Sequence, residues 1–154
     1  EVQTGEIMQK GEFYRVTNSG NEIICNGEVV WVYIKKQNEV QINDFDEDDE
    51  DIMSPSKILK IYEHEKDFFY AITNEDTRFY QIEFKPRDQD AEYKKIRVEV
   101  KKGNHSLSKV VVFGQDGTRY TFQVNSISKK IIAPSNFKFT KSKYPGVKVI
   151  DMRL

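Results

Sequence analysis

A mainly β fold is what this sequence predicts: a curved antiparallel sheet left open as an unclosed half-barrel, with one short helix over it as a lid. Three observations carry that expectation. Apolar and polar residues alternate with period two through most of the 154 residues, whereas helical spacing of apolar residues occurs once. Ten Phe, eight Tyr and one Trp make up 12% of the chain, a load that suits pleated surfaces where aromatic and β-branched side chains pack well. Turn pairs, Asn26-Gly27 and Asp116-Gly117 among them, separate the alternating segments, and both pairs tolerate the positive φ angles of tight hairpin turns.

Taken in order, segments 2–8 and 12–17 read as short strands separated by Lys10-Gly11. The stretch 23–34 holds two apolar runs around Asn26-Gly27 and contains Trp31, the single Trp of the chain. Its second run is apolar on both alternating faces, which places this hairpin deep in a sheet, with Trp31 and Tyr33 on one side. Segment 39–43 follows, with Val40 and Ile42 on one face. The acidic run 44–51 resembles a calcium loop only superficially: it has no glycine at its middle, and Pro55 stands where the closing bidentate Glu belongs. It reads as a solvated loop.

Ser54-Pro55 has the chemistry of an N-cap followed by Pro at the first helical position. Ile58, Leu59, Ile61 and Tyr62 then recur with helical spacing, so the expectation is an amphipathic helix over 54–64. Strands resume at 68–73, 78–85, 94–101, 107–113 and 119–125. Segment 134–144 reads as a less regular strand anchored by Phe137 and Phe139, and Pro145-Gly146 turns into a last strand with Val147 and Val149. About ten strands exceed what a flat sheet holds without curling. One helix is too small to fill the concavity of so large a sheet, which leaves room for core aromatics or for an apolar ligand.

Other classes find little support. The formal net charge of −1 gives no general attraction to nucleic acid, and basic residues are interspersed with acids. Cys25 is the only cysteine, so an intrachain disulfide and a thiolate metal cluster are excluded, and its place in a strand suits a buried inert thiol. Two histidines, His64 and His105, in separate loops make no metal site, and no nucleophile elbow or phosphate-cradling glycine loop is present. No cofactor, metal or enzymatic activity is expected. No apolar run is long enough to span a bilayer as a helix. The chain starts at Glu1 rather than Met, as a processed product that has lost a targeting segment would.

The order of these features resembles the LolA-like periplasmic lipoprotein carriers. Thr4-Gly5-Glu6-Ile7 leads to Phe13-Tyr14-Arg15, and Asn26-Gly27 precedes Trp31 and Tyr33 in a hairpin similar to the family's. Ser54-Pro55-Ser56-Lys57-Ile58-Leu59 resembles its short helix, and Tyr80-Gln81-Ile82-Glu83-Phe84-Lys85-Pro86 one of its strands. Phe137-Lys138-Phe139 and Tyr144-Pro145-Gly146-Val147-Lys148-Val149-Ile150-Asp151 are similar to its terminal segment. The family pattern also has a helix and a strand ahead of the Gly5 region, and an Arg-Pro pair near Lys10-Gly11. This sequence carries none of these. The expectation is one LolA-like domain over 1–154, divergent and shortened at its N-terminus.

The resemblance implies a monomeric periplasmic carrier that shields acyl chains of lipoproteins, or another lipid, on the way to the outer membrane. Its implied partners are an inner-membrane releasing complex and an outer-membrane acceptor. The residues expected to line the apolar cavity are Phe13, Trp31, Tyr33, Phe69, Tyr80, Ile82, Phe84, Ile96, Val98, Val100, Tyr120, Phe122 and Val124. Ile58, Leu59, Ile61 and Tyr62 form the expected lid. Ordinary core packing competes with the lining role at each position. Two other readings use the same fold: an envelope sensor or scaffold gripping a protein partner, and an enzyme working on a lipid or glycan through His64, His105 or Glu83.

Overall fold

The computed structural model describes residues 2–46, 57–58 and 60–153, with the side chain of Tyr62 excepted. The described chain is mainly β. Eleven strands form a six-stranded sheet in the order β1-β2-β3-β4-β5-β11 and a five-stranded sheet in the order β10-β9-β8-β7-β6. Neither sheet closes into a barrel: β1 and β11 edge the first, β6 and β10 the second. Two compact units carry these sheets, one built from 1–56 and 130–154, the other from 57–129.

In the first unit, β1 (Gly5–Lys10), β2 (Phe13–Asn18), β3 (Asn21–Cys25), β4 (Val29–Ile34) and β5 (Glu39–Asp44) follow one another as antiparallel neighbours. The Asn26-Gly27 turn joins β3 to β4 as expected. The Asn26 Oδ1 accepts from the Glu28 and Val29 amides at 3.0 and 2.8 Å, and Gly27 sits at φ +83. Side-chain capture of the next amides is why Asn serves here. Cys25 is fully buried, as expected of an inert thiol. β11 (Lys148–Asp151) departs from the all-antiparallel expectation by pairing parallel to β5. Asn38 anchors that return: in the left-handed conformation at φ 47, it accepts from the Tyr33 hydroxyl and donates to the Pro145 carbonyl, both at 3.1 Å.

The expected strand over 134–144 is instead two 3₁₀ turns, Pro134–Phe137 and Lys141–Lys143. Pro134 lacks the amide a ladder needs, and its fixed φ suits a first helical position. Phe137 is buried in packing against Phe13, with ring centroids 5.8 Å apart, so it serves as a plug rather than a strand anchor.

The second unit holds β6 (Phe68–Glu75), β7 (Phe79–Pro86), β8 (Tyr93–Lys101), β9 (Leu107–Gly114) and β10 (Arg119–Gln123), all antiparallel. The helix expected over 54–64 falls partly on residues outside the described ones: 54–56 and Leu59 are among these. Lys57 and Ile58 are α-helical as expected, but beyond them the expectation fails: Ile61–Asp67 forms 3₁₀ turns, and His64 lies off helical values at φ −108 and ψ 29. Ile58 and Ile61 are both buried and three residues apart, a spacing that puts side chains on one side of a helical turn.

Candidate functional site

Alternation on β7 to β10 sorts the second unit's sheet into two chemically opposed faces. Registers across the strands align Tyr70, Phe84, Ile96, Val112 and Tyr120 in one row and Ile72, Ile82, Val98, Val110 and Phe122 in the next. Residues directly opposite in a ladder share a face, so these ten residues form an unbroken apolar surface five strands wide. At strand spacings of about 4.8 Å its breadth is roughly 19 Å. Tyr80 and Val100 pair with one another and extend it at one end. The amide of Val124 donates to the Ser108 carbonyl at 2.9 Å, which carries β10's register onward and puts Val124 on the same side as Phe122.

The middle of this face is closed and its flanks are open. Ile96, Val98, Val110 and Val112 are buried, whereas Tyr70 and Ile72 on β6 are 56% and 60% exposed and Tyr120 on β10 is 48% exposed. Tyr70 and Phe84 rings lie 5.6 Å apart, and Phe68 meets Phe84 edge-on at 5.9 Å, so an aromatic cluster borders the β6 side. Lys102, 4.7 Å above the Tyr80 ring and ion-paired to Glu75 at 2.8 Å, marks the polar rim.

Of the residues expected to line a cavity, Tyr80, Ile82, Phe84, Ile96, Val98, Val100, Tyr120, Phe122 and Val124 come together on this face. Phe69 does not. It is one residue out of phase, opposite Lys85 on the other face, with the Arg87 guanidinium 3.9 Å above its ring. Sequence reasoning chose Phe69 for its aromatic character and overlooked its neighbours Tyr70 and Ile72, whose parity matches Phe84 and Ile82. Val110 and Val112 were also overlooked, because three consecutive valines at 110–112 hide the parity that the Asp116-Gly117 hairpin sets.

Phe13, Trp31 and Tyr33 belong to the first unit and share a face of its sheet with Arg15, Ile24, Val40 and Ile42. The C-terminal segment packs on that face. Tyr33 lies 4.6 Å from the Tyr144 ring, and Phe139 stacks on Tyr144 at 4.5 Å. Trp31 is half-buried between Ile24 and Ile42. A polar knot sits on the same side: Arg15 is ion-paired to Glu22 and donates to the Asn136 carbonyl at 3.1 Å and to the Tyr144 hydroxyl at 3.2 Å. Tyr144 in turn donates to the second Glu22 oxygen. Burial, and then the hydrogen bond to the Glu22 carboxylate, push the Tyr144 phenol up to about 12.

The groups considered for catalysis do not converge. Glu83 lies on the polar face of the five-stranded sheet, bonded to Arg97 at 2.8 Å and Lys95 at 3.0 Å. Burial pushes its carboxyl up, but the hydrogen bonds from Arg97 and Lys95 outweigh that and hold it below the ordinary carboxylate range. His64 is exposed near Asp67, and His105 occupies a turn at φ 55. Among the described residues no three His, Cys, Asp or Glu side chains are placed to hold a metal. An open cleft of about 500 Å³ lined by Thr77, Arg78, Phe79, Lys101, Lys102, Gly103 and Asn104 lies at the end of β7 and β8. No helix among the described residues is long and apolar enough to cross a membrane.

The described chain is mainly β, and one of its sheets carries an apolar face five strands wide. The family is given by sequence: the model for the outer membrane lipoprotein carrier protein LolA matches residues 9–140, and the chain belongs to this family. The match runs through both units. Among solved structures, an uncharacterized conserved protein from Thermus thermophilus has the same fold, with a TM-score of 0.63 and 11% identity. That alignment covers 97% of this chain and 82% of the other. No curated protein matched.

Proposed function

We propose that this chain is a periplasmic carrier whose apolar sheet face takes up the acyl chains of a lipoprotein or another lipid and delivers them toward the outer membrane. The observation that carries the reading is the double apolar row across β6 to β10, open at both flanks, in a member of the lipoprotein-carrier family. Each buried methylene contributes about 0.8 kcal/mol. A dozen therefore contribute roughly 10 kcal/mol before association costs, enough for micromolar-class binding. The flanking residues Tyr70, Ile72 and Tyr120 make first contact, and the segment carrying Ile58 and Ile61 acts as the lid. In the first unit, Phe13 and Tyr33 hold the C-terminal segment. In this reading residues 1–154 work as one carrier domain, receiving cargo from an inner-membrane releasing complex and passing it to an outer-membrane acceptor.

Native mass spectrometry of the purified protein, followed by titration with a fluorescent fatty acid, tests the proposal. Tyr70→Asp and Tyr120→Asp, both at exposed positions, are expected to weaken binding at least tenfold, and Phe69→Asp on the opposite face to leave it intact. Absence of any acyl binding, or equal loss in Phe69→Asp, would sink the reading.

A second reading has its own support. β6 is a sheet edge on which every residue after Phe68 is exposed, Phe69, Tyr70 and Ile72 included. Such an edge is the usual template for an added strand from a protein partner. Affinity capture that returns a partner protein and no lipid would favour this envelope-scaffold role.

A further inference from the structure

The face of the five-stranded sheet opposite the apolar rows carries a surplus of positive charge. Lys85, Lys95, Arg97, Lys101, Lys109 and Arg119 alternate with the apolar positions and therefore point to this side. Only two carboxylates, Glu83 and Glu99, stand on these strands with them, leaving a surplus of four. Glu83 is already shared between Lys95 and Arg97. Among the described residues Lys85, Lys101, Lys109 and Arg119 have no carboxylate within ion-pair reach. Three of the cations crowd one ring: Lys95, Arg97 and Arg119 lie 5.1, 5.1 and 4.9 Å from the centre of Phe113. The ring's negative faces stabilise this cluster of like charges, but they do not neutralise it.

We propose that this cationic sheet face docks the protein on an anionic phospholipid surface. Side chains stand perpendicular to a sheet, so their charges end at similar heights. They are spaced about 7 Å along each strand and about 5 Å between strands. A layer of cations matches a plane of lipid phosphates better than it matches an extended acidic peptide, which needs a groove or a free edge. The chain's overall charge of −1 does not oppose docking, because fields beyond about 10 Å are screened at ordinary salt and the bilayer meets the local surplus. Docking by this side leaves the apolar rows free, and it does not depend on what those rows bind.

Co-sedimentation of the intact chain with phosphatidylcholine vesicles, with and without phosphatidylglycerol, decides the matter. Binding is expected only to the phosphatidylglycerol vesicles and is expected to be lost at high salt. Lys109→Gln and Arg119→Gln should each weaken it roughly fivefold, the loss expected for one juxtamembrane cation, with unchanged thermal melts. Lys36→Gln, an exposed cation of the other unit, should bind like the wild type. Equal binding to phosphatidylcholine alone, insensitivity to both substitutions, or no vesicle binding at low salt would each overturn the proposal. Capture by polyglutamate without vesicle binding would reassign the face to an acidic protein partner.

Discussion

Arg15, Glu22 and Tyr144 show how one unit ties its C-terminal segment to its sheet. Each polar atom of the knot is half-buried and bonded, and Tyr144 answers both a cation and a carboxylate. A buried acceptor left without its donor costs about 1–3 kcal/mol. Tyr144→Phe is therefore expected to destabilise the protein by that amount in urea melts at neutral pH. The phenol also makes a pH prediction. Its folded value is raised to about 12 from the ordinary 10.0, so its contribution is fully present below 10 and disappears as pH rises through about 12. Between pH 10 and 12 the wild type should lose more stability than Tyr144→Phe does; parallel melts of the two proteins measure the difference. The sequence does not display this knot, because Arg15 and Tyr144 are 129 residues apart. Gly27, by contrast, was legible as a turn residue from Asn26-Gly27. Its φ is +83, and the Phe13 ring lies 3.1 Å from where a Cβ would stand. Gly27→Ala is therefore expected to cost about 1 kcal/mol or more, read from the shift of the urea midpoint.

At the level of elements, the clean alternation over 94–101 proved the most informative stretch. It set β8 in the middle of its sheet and put Ile96 and Val98 on the apolar side. Ile96 is wholly buried, so Ile96→Ala is expected to cost about 2–5 kcal/mol in chemical denaturation. Tyr120→Ala, in the same sheet at a half-exposed edge position, should cost clearly less. Equal losses would show that the edge is packed in solution. The same alternation gathers Lys95, Arg97 and Lys101 on the other side. Along the chain those cations look dispersed among acids; folded into a sheet, every second residue becomes a neighbour. Segment 134–144 shows the opposite failure. Phe137 and Phe139 are two apart and imitate a strand, yet each docks an aromatic ring onto its own unit, and neither joins a ladder.

For the molecule as a whole, the carrier reading predicts that a bound fatty acid stabilises the fold. At a hundredfold excess over its Kd a ligand adds about 2.7 kcal/mol, which for a chain of this size raises Tm by roughly 5–10 °C. Differential scanning fluorimetry with and without the ligand measures it, and no shift at saturation would count against acyl binding. By itself the sequence determined the mainly β class, nearly every strand and the likeness to the lipoprotein carriers. Period-two alternation, turn pairs and aromatic load are local signals, and they are complete within a few residues. Only the tertiary structure decided which apolar residues share a surface. Face membership depends on register, and one residue of phase separates Phe69, under Arg87, from Tyr70 beside Phe84. Register also made two chemically opposed faces from one alternating sequence, since it aligns residues far apart in the chain into rows that no local pattern records.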